Sequence, residues 1–335
     1  MPIHLVQRTG RALSKLAFFA RGIGDALCAI SALAALSVIG LITACTPDVP
    51  APSASEHWRF PAPRANTKLE VAIIKTGEQS TREGLIVAGG SLFEPVTMSY
   101  VAVLVKHPNG RLLFDAGLGS QVDAQYQANM PLWAKPFLSY RNTKPVIEWL
   151  RGSDDATIDH IVLSHPHWDH ASGISDFPKA KIYMPAADAQ FVKDGKPPAV
   201  LPIQFAHAGY NWQELKFSDA RFGVFNQSKD WFGDGSVVFV PLPGHTPAAT
   251  GMIVTVSSGN RYFFVGDAIW NSKALAGGAS KPWLVRGLAD HDSGETLASI
   301  RRIRDAYASN PGLLVVPAHD DKLHNTLGNY PSWLK

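Results

Sequence analysis

The sequence predicts a mixed α/β domain, and three observations predict it. Short apolar runs closed by turn residues recur from Leu69 to the C-terminus. Segments of helical periodicity lie between them. No second break in composition divides the body, and its length of roughly 270 residues suits one such domain. Taken in order, Val71 to Ile74 reads as a strand, and Met98 to Lys106 as another. The turn Pro108-Asn109-Gly110 joins that strand to Arg111–Asp115, because Asn-Gly between apolar runs signals a hairpin. Ile158 to Ser164 is a short apolar strand that ends at a histidine cluster. Val237–Pro241, Met252–Val256, Tyr262–Val265 and Leu313–Val316 repeat the pattern. Gly294 to Asn310 is the clearest helix, with Leu297, Ile300, Ile303 and Tyr307 on one face and Asp292 with Glu295 as a capping pair. Sheets mixed with helices in this way need helical cover. The segment Ser120 to Trp149 differs, since it holds Tyr126, Met130, Trp133, Phe137, Tyr140 and Trp149. It reads as a packed helical insert, a substrate lid, or both.

The charge is unevenly placed. The chain carries 31 Lys+Arg against 28 Asp+Glu, a formal net charge of +3. Residues 1–45 hold Arg8, Arg11, Lys15 and Arg21 against Asp25 alone, which leaves 27 of each sign in the rest. A neutral body argues against a nucleic-acid partner. Both cysteines, Cys28 and Cys45, fall in the first segment, so the body has no disulfide and no thiolate ligand. Ala26 to Ala44 is an uncharged apolar run behind four cations, the pattern of a secretory signal. Its end, Ile42-Thr43-Ala44-Cys45, resembles the lipobox of bacterial lipoprotein signals. That resemblance implies a diacylated Cys45 as first mature residue, and two chains anchor stably where one does not. An uncleaved anchor helix is the alternative, since ~20 apolar residues span a bilayer. Thr46 after the cysteine does not suggest inner-membrane retention. The expectation is therefore an exported protein, lipid-anchored in a bacterial envelope on the periplasmic side of the outer membrane. Residues 46–68, with five prolines among small polar residues, read as a tether unable to bury a core. The predicted organisation is thus signal 1–45, tether 46–68 and folded domain 69–335.

The chemistry concentrates in His165-Pro166-His167-Trp168-Asp169-His170, directly after a buried strand. His165 and His167, on alternate positions, can converge on one point. Asp169 and His170 can face a neighbouring one. Imidazole nitrogen and carboxylate oxygen suit zinc or a similar divalent ion. His4, His57, His107, His207 and His324 match no motif and read as surface or hydrogen-bonded residues. His291 reads as a helix-start residue, and His160 as a residue that could support the cluster from its strand.

The H-x-H-x-D-H pattern resembles the hallmark of the metallo-β-lactamase-fold hydrolase superfamily. Its other landmarks follow in order: Leu113-Phe114-Asp115-Ala116-Gly117, Pro243-Gly244-His245-Thr246, Phe264-Val265-Gly266-Asp267 and Val316-Pro317-Ala318-His319. The resemblance spans about residues 69 to 320. It implies a four-layer αββα sandwich with two divalent metal ions, zinc by the family's pattern, at one edge of the sheets. Carried over by motif, His165, His167 and His245 would hold one ion. Asp169, His170 and His319 would hold the other, with Asp267 between them. Asp115 would orient a ligand histidine through its free N–H.

Such a site implies hydrolysis by a metal-bridging hydroxide, with Asp169 passing a proton to the leaving group. Within the superfamily, β-lactamases usually carry cysteine or serine where this chain has Asp267, and flavodiiron oxidoreductases carry Glu where it has His167. The pattern is most similar to N-acyl homoserine lactonases, with arylesterases and organophosphate hydrolases nearby. A lactone or carboxylic ester is therefore the expected small-molecule substrate. Trp133 and Phe137 are candidates to receive an acyl chain. The lactonases typically place a tyrosine three residues after the bridging aspartate; here Trp270 stands there, either facing substrate or packed beneath the site. A metal-bearing surface lipoprotein without turnover is the non-enzymatic alternative. The lipid anchor is open to direct test: radioactive palmitate labels the wild-type chain and is lost in Cys45→Ala. Absence of label from the wild type contradicts the anchor.

Overall fold

A computed structural model of the protein describes residues 49, 51–64, 68–206, 209–277 and 280–335. The apolar run, Cys28, Cys45, His4 and His207 lie outside the described residues. Among the described residues, no helix is long and apolar enough to cross a membrane.

Two sheets form the frame. The first runs β1 (Glu70–Arg82), β2 (Pro95–His107), β3 (Gly110–Phe114), β4 (His160–Val162), β5 (Lys181–Met184) and β6 (Asn211–Glu214), in that spatial order. β1, β2 and β3 pair antiparallel, and β3 to β6 are parallel. The predicted hairpin is present, with His107 opposite Gly110. The second sheet contains β7 (Lys229–Asp230), β8 (Val237–Pro241), β9 (Thr250–Thr255), β10 (Arg261–Phe264) and β11 (Leu314–Val316). β11 joins it parallel to β10.

Alternate residues of each strand serve different layers, as the two-residue period of a pleated strand requires. Ile73, Val103, Phe114 and Val162 of the first sheet meet Phe239, Met252, Val254 and Phe264 of the second in one core. The opposite face of the second sheet, with Val240, Ile253 and Phe263, packs on Ile300, Ile303 and Ala306 of the helix Ser293–Ser309. The outer face of the first sheet, with Leu104, Leu113 and Ile161, is covered by Val146, Leu150, Ile174 and Phe177. The result is the expected four-layer αββα sandwich. The Ser293–Ser309 helix starts as predicted, with Asp292 accepting from the Glu295 N–H. Its buried stripe is rotated from the expected one: Thr296 and Ser299 are buried, and Tyr307 is half exposed.

The expected tether is a correction. Phe60 is buried and stacks on Phe222 with ring centroids 5.0 Å apart. The N–H groups of Ser53, Ser55 and Phe60 donate to Asp305, Ser309 and Asn310 at the end of the Ser293–Ser309 helix. Prolines deny this segment a regular ladder, but they do not prevent an aromatic side chain from docking. Residues 51–64 are accordingly part of the folded body. In the 120–149 segment, Tyr126, Met130 and Ala134 pack with Tyr100 and Trp168. It is a packed insert around the helix Val122–Asn129.

A C-terminal helix, Asp321–Leu327, locks against β2 through His324. Its Nδ1 lies 2.7 Å from Ser99 Oγ, and Nε2 donates to the Pro317 carbonyl at 2.9 Å. Burial pushes this imidazole down to about 4. Below pH 6.5 the unfolded ring takes a proton that the folded ring refuses, so stability falls as pH drops toward 4, by about 3 kcal/mol in full. Urea unfolding between pH 7.5 and 4.5 should show a larger loss for wild type than for His324→Gln. Equal losses contradict this account.

Candidate metal centre

All five sequence motifs follow the C-terminal ends of strands. Asp115 follows β3, Ser164–His170 follows β4, Gly244–His245 follows β8, Asp267 follows β10 and His319 follows β11. Main-chain bonds hold these ends together: Thr250 N–H donates to the Ser164 carbonyl at 2.8 Å, and Ala318 N–H to that of Gly266 at 3.2 Å. Gly244 is required where it stands. Its φ is +129°, and a Cβ there would lie 2.1 Å from the Thr296 nitrogen, so the loop can sit directly on the helix start.

The seven predicted ligands converge. The ligand atoms of His165, His167 and His245 lie within 4.8 Å of one another, as do those of Asp169, His170 and His319. Asp267 stands between the groups: Oδ2 is 3.4 Å from His245 Nε2, and Oδ1 is 3.3 Å from His170 Nε2. All seven are buried, and Asp169 is the most exposed at 9%.

Hydrogen bonds outside the cluster aim the rings. Asp290 Oδ1 accepts from His245 Nδ1 at 2.7 Å, and Asp115 Oδ2 from His170 Nδ1 at 2.8 Å. The Ser99 carbonyl accepts from His319 Nδ1 at 2.9 Å. Ser164 Oγ donates its proton to Asp115, which leaves its oxygen to accept from His165 Nδ1 at 2.9 Å. Each of these four rings therefore turns Nδ1 outward to an acceptor and Nε2 inward, and Nε2 of His319 lies 3.1 Å from Asp267 Oδ2. Asp115 sits at φ 62°, a left-handed conformation rare for a residue with a side chain, and accepts three bonds there, the third from Ser164 N–H at 2.6 Å.

The inward atoms fit divalent cations. Nε2 of His165, His170 and His245 and Oδ1 of Asp267 are buried without a hydrogen-bond partner, a costly arrangement unless an ion accepts their lone pairs. Burial, and then the neighbouring imidazoles, push His165 and His167 well below the usual histidine range, so they are neutral. Burial acts the same way on His170, but Asp115, Asp169 and Asp267 outweigh it and raise that ring. His319 is raised against burial by Asp267. Without a cation, the neighbouring carboxylates favour a proton on these two rings.

Other expected residues fall elsewhere. Trp270 donates from Nε1 to Asp267 Oδ2 at 2.8 Å and meets His319 edge-on, so it stands beside the cluster with its donor committed. Trp133 and Phe137 are each 67% exposed. His160 packs edge-on to Trp231 and touches no ligand. His107 pairs with Asp234, His57 is exposed, and exposed His291 stacks edge-on with Phe191.

Sequence reasoning missed Ser164, Asp188, Lys281 and Asp290. Asp188 is fully buried and accepts from Thr246 Oγ1 and Ala248 N–H, bracing the loop that carries His245. Burial pushes its carboxyl up to about 6 against those bonds. Ser164, as the residue before the first histidine, had a positional signal; the other three had none.

A buried His/Asp cluster laid across the strand ends of a two-sheet sandwich is the architecture of a metal-dependent hydrolase. Residues 96–319 match the model of the metallo-beta-lactamase superfamily, and the chain belongs to that family. It is 31% identical over 239 residues to a "Probable metallo-hydrolase" of Mycobacterium tuberculosis, covering 66% of this chain and 74% of that one. It is 25% identical over 246 residues to the N-acyl homoserine lactonase AttM of Rhizobium johnstonii, covering 69% and 85%. Among solved structures, it resembles an N-acyl homoserine lactone hydrolase with N-hexanoyl-L-homoserine at its catalytic metal center. That match has a TM-score of 0.63 at 13% identity and covers 80% of this chain and 99% of the other.

Proposed function

We propose that this protein is a dinuclear zinc hydrolase that opens a lactone or cleaves a carboxylic ester. The observation that carries the reading is the convergence of the bare Nε2 atoms on a carboxylate, Asp267, that reaches both ligand groups. His165, His167 and His245 would hold one ion, and Asp169, His170 and His319 the other. Bound there, two such ions would acidify a water and polarise a carbonyl.

This chain's own residues do the rest. Trp270 N–H fixes the Asp267 carboxylate, and Asp115 and Asp290 hold their imidazoles in one tautomer. Asp169 is the most exposed member of the cluster, which suits it to pass a proton to the leaving oxygen. With its donor spent on Asp267, Trp270 offers substrate a ring face where the lactonases offer a hydroxyl. That favours, as a second reading, the aryl esters and organophosphates handled by neighbouring branches. We also propose that the protein is exported and held at the envelope by lipid on Cys45, a reading that rests on its N-terminal sequence.

Rates of the zinc-loaded protein on N-acyl homoserine lactones, aryl esters, phosphotriesters and β-lactams test the assignment. Lactone or ester turnover should lead; fully loaded protein without either activity contradicts it. Trp270→Tyr should raise relative kcat/KM for acyl lactones about tenfold, equivalent to about 1.4 kcal/mol. An unchanged profile counts against Trp270 facing substrate.

A further inference from the structure

Lys281 is 1% exposed, an expensive place for an ammonium unless its charge is compensated. Its Nζ makes two bonds of 2.7 Å, one to Asp290 Oδ1 and one to the main-chain carbonyl of Asp267. The Asp290 oxygen that receives it is the one that holds His245 Nδ1. Neither side chain of the Lys281–Asp290 pair reaches solvent. Nζ also lies 5.1 Å from the Trp270 ring centroid, beside the indole that donates to Asp267. One cation thus ties the partner of a terminal ligand to the backbone of the residue between the two ligand groups. A buried ion pair of this kind stabilises little in itself compared with apolar packing, so its placement points to positioning.

We propose that Lys281 is a positioning residue that clamps Asp267 and the Asp290–His245 pair in register, tightening the hold of His165, His167 and His245 on their metal ion. The inference rests on the seven-residue reading above. Without the ammonium, Asp290 loses the group that fixes it, and the Asp267 carbonyl loses a donor. Both ligands then gain freedom that binding must remove. Ligand supports of this kind are worth about 10–100-fold in metal affinity.

Zinc competition against a chromophoric chelator, with the full chain, reads two constants for wild type and Lys281→Met. The expected result is about 10–100-fold weaker binding of the ion at His165, His167 and His245, with a smaller loss at the other ion, which shares Asp267. Unchanged constants overturn the proposal, even if thermal stability falls, because a merely structural pair would lower Tm alone. Wild-type protein that binds no zinc would instead fail the seven-residue reading. Should Lys281→Met not fold, Lys281→Met/Asp290→Asn removes both buried charges and is compared with Asp290→Asn. Weaker binding in the double variant than in Asp290→Asn supports the clamp; equal binding overturns it.

Discussion

The site depends on where four imidazole protons point. In water a neutral histidine carries its proton on either nitrogen. Here Asp115, Asp290, Ser164 and the Ser99 carbonyl each accept from Nδ1, leaving Nε2 turned inward. Each acceptor is itself anchored. Asp115 accepts from Ser164 as well as His170, and Ser164 can accept from His165 because its own proton goes to Asp115. Removing any one support would leave a buried lone pair without direction, at a cost that a surface histidine would not incur.

The same constraint explains why the sandwich surrounds the cluster as it does. Side chains from both sheets must meet within a few ångströms, so the strand ends are bonded across the gap, as between Thr250 and Ser164. Gly244 lets the His245 loop rest on the Ser293–Ser309 helix, and Asp188 braces it from the other side. The electrostatics follow. Burial alone would raise Asp267, yet His319 and His170 hold it well below the usual carboxylate range. Asp290 is likewise held down against burial by Lys281 and His245. The cluster is organised around positive charge.

Much of this was legible in the sequence, and the exceptions are instructive. Val237–Pro241 is a strand with the bounds its apolar run implies. The seven cluster residues could be read because each stands a short distance after a strand end, a local relation. The short edge strand Asn211–Glu214 could not, since it is polar and joins the sheet through main-chain pairing with β5. Residues 46–68 read as a tether because composition hides a single docking residue, Phe60. Lys281 and Asp290 are an ordinary lysine and aspartate in sequence. Their roles arise when the fold brings them to His245, 36 and 45 residues away.

The most direct test is an anomalous difference map at the zinc edge from crystals of the zinc-loaded protein. The account predicts two peaks, one on each side of Asp267, bonded through Nε2 of His165, His170, His245 and His319 at roughly 2.0–2.1 Å. Peaks outside this cluster, or bonds through Nδ1 of these rings, would contradict it.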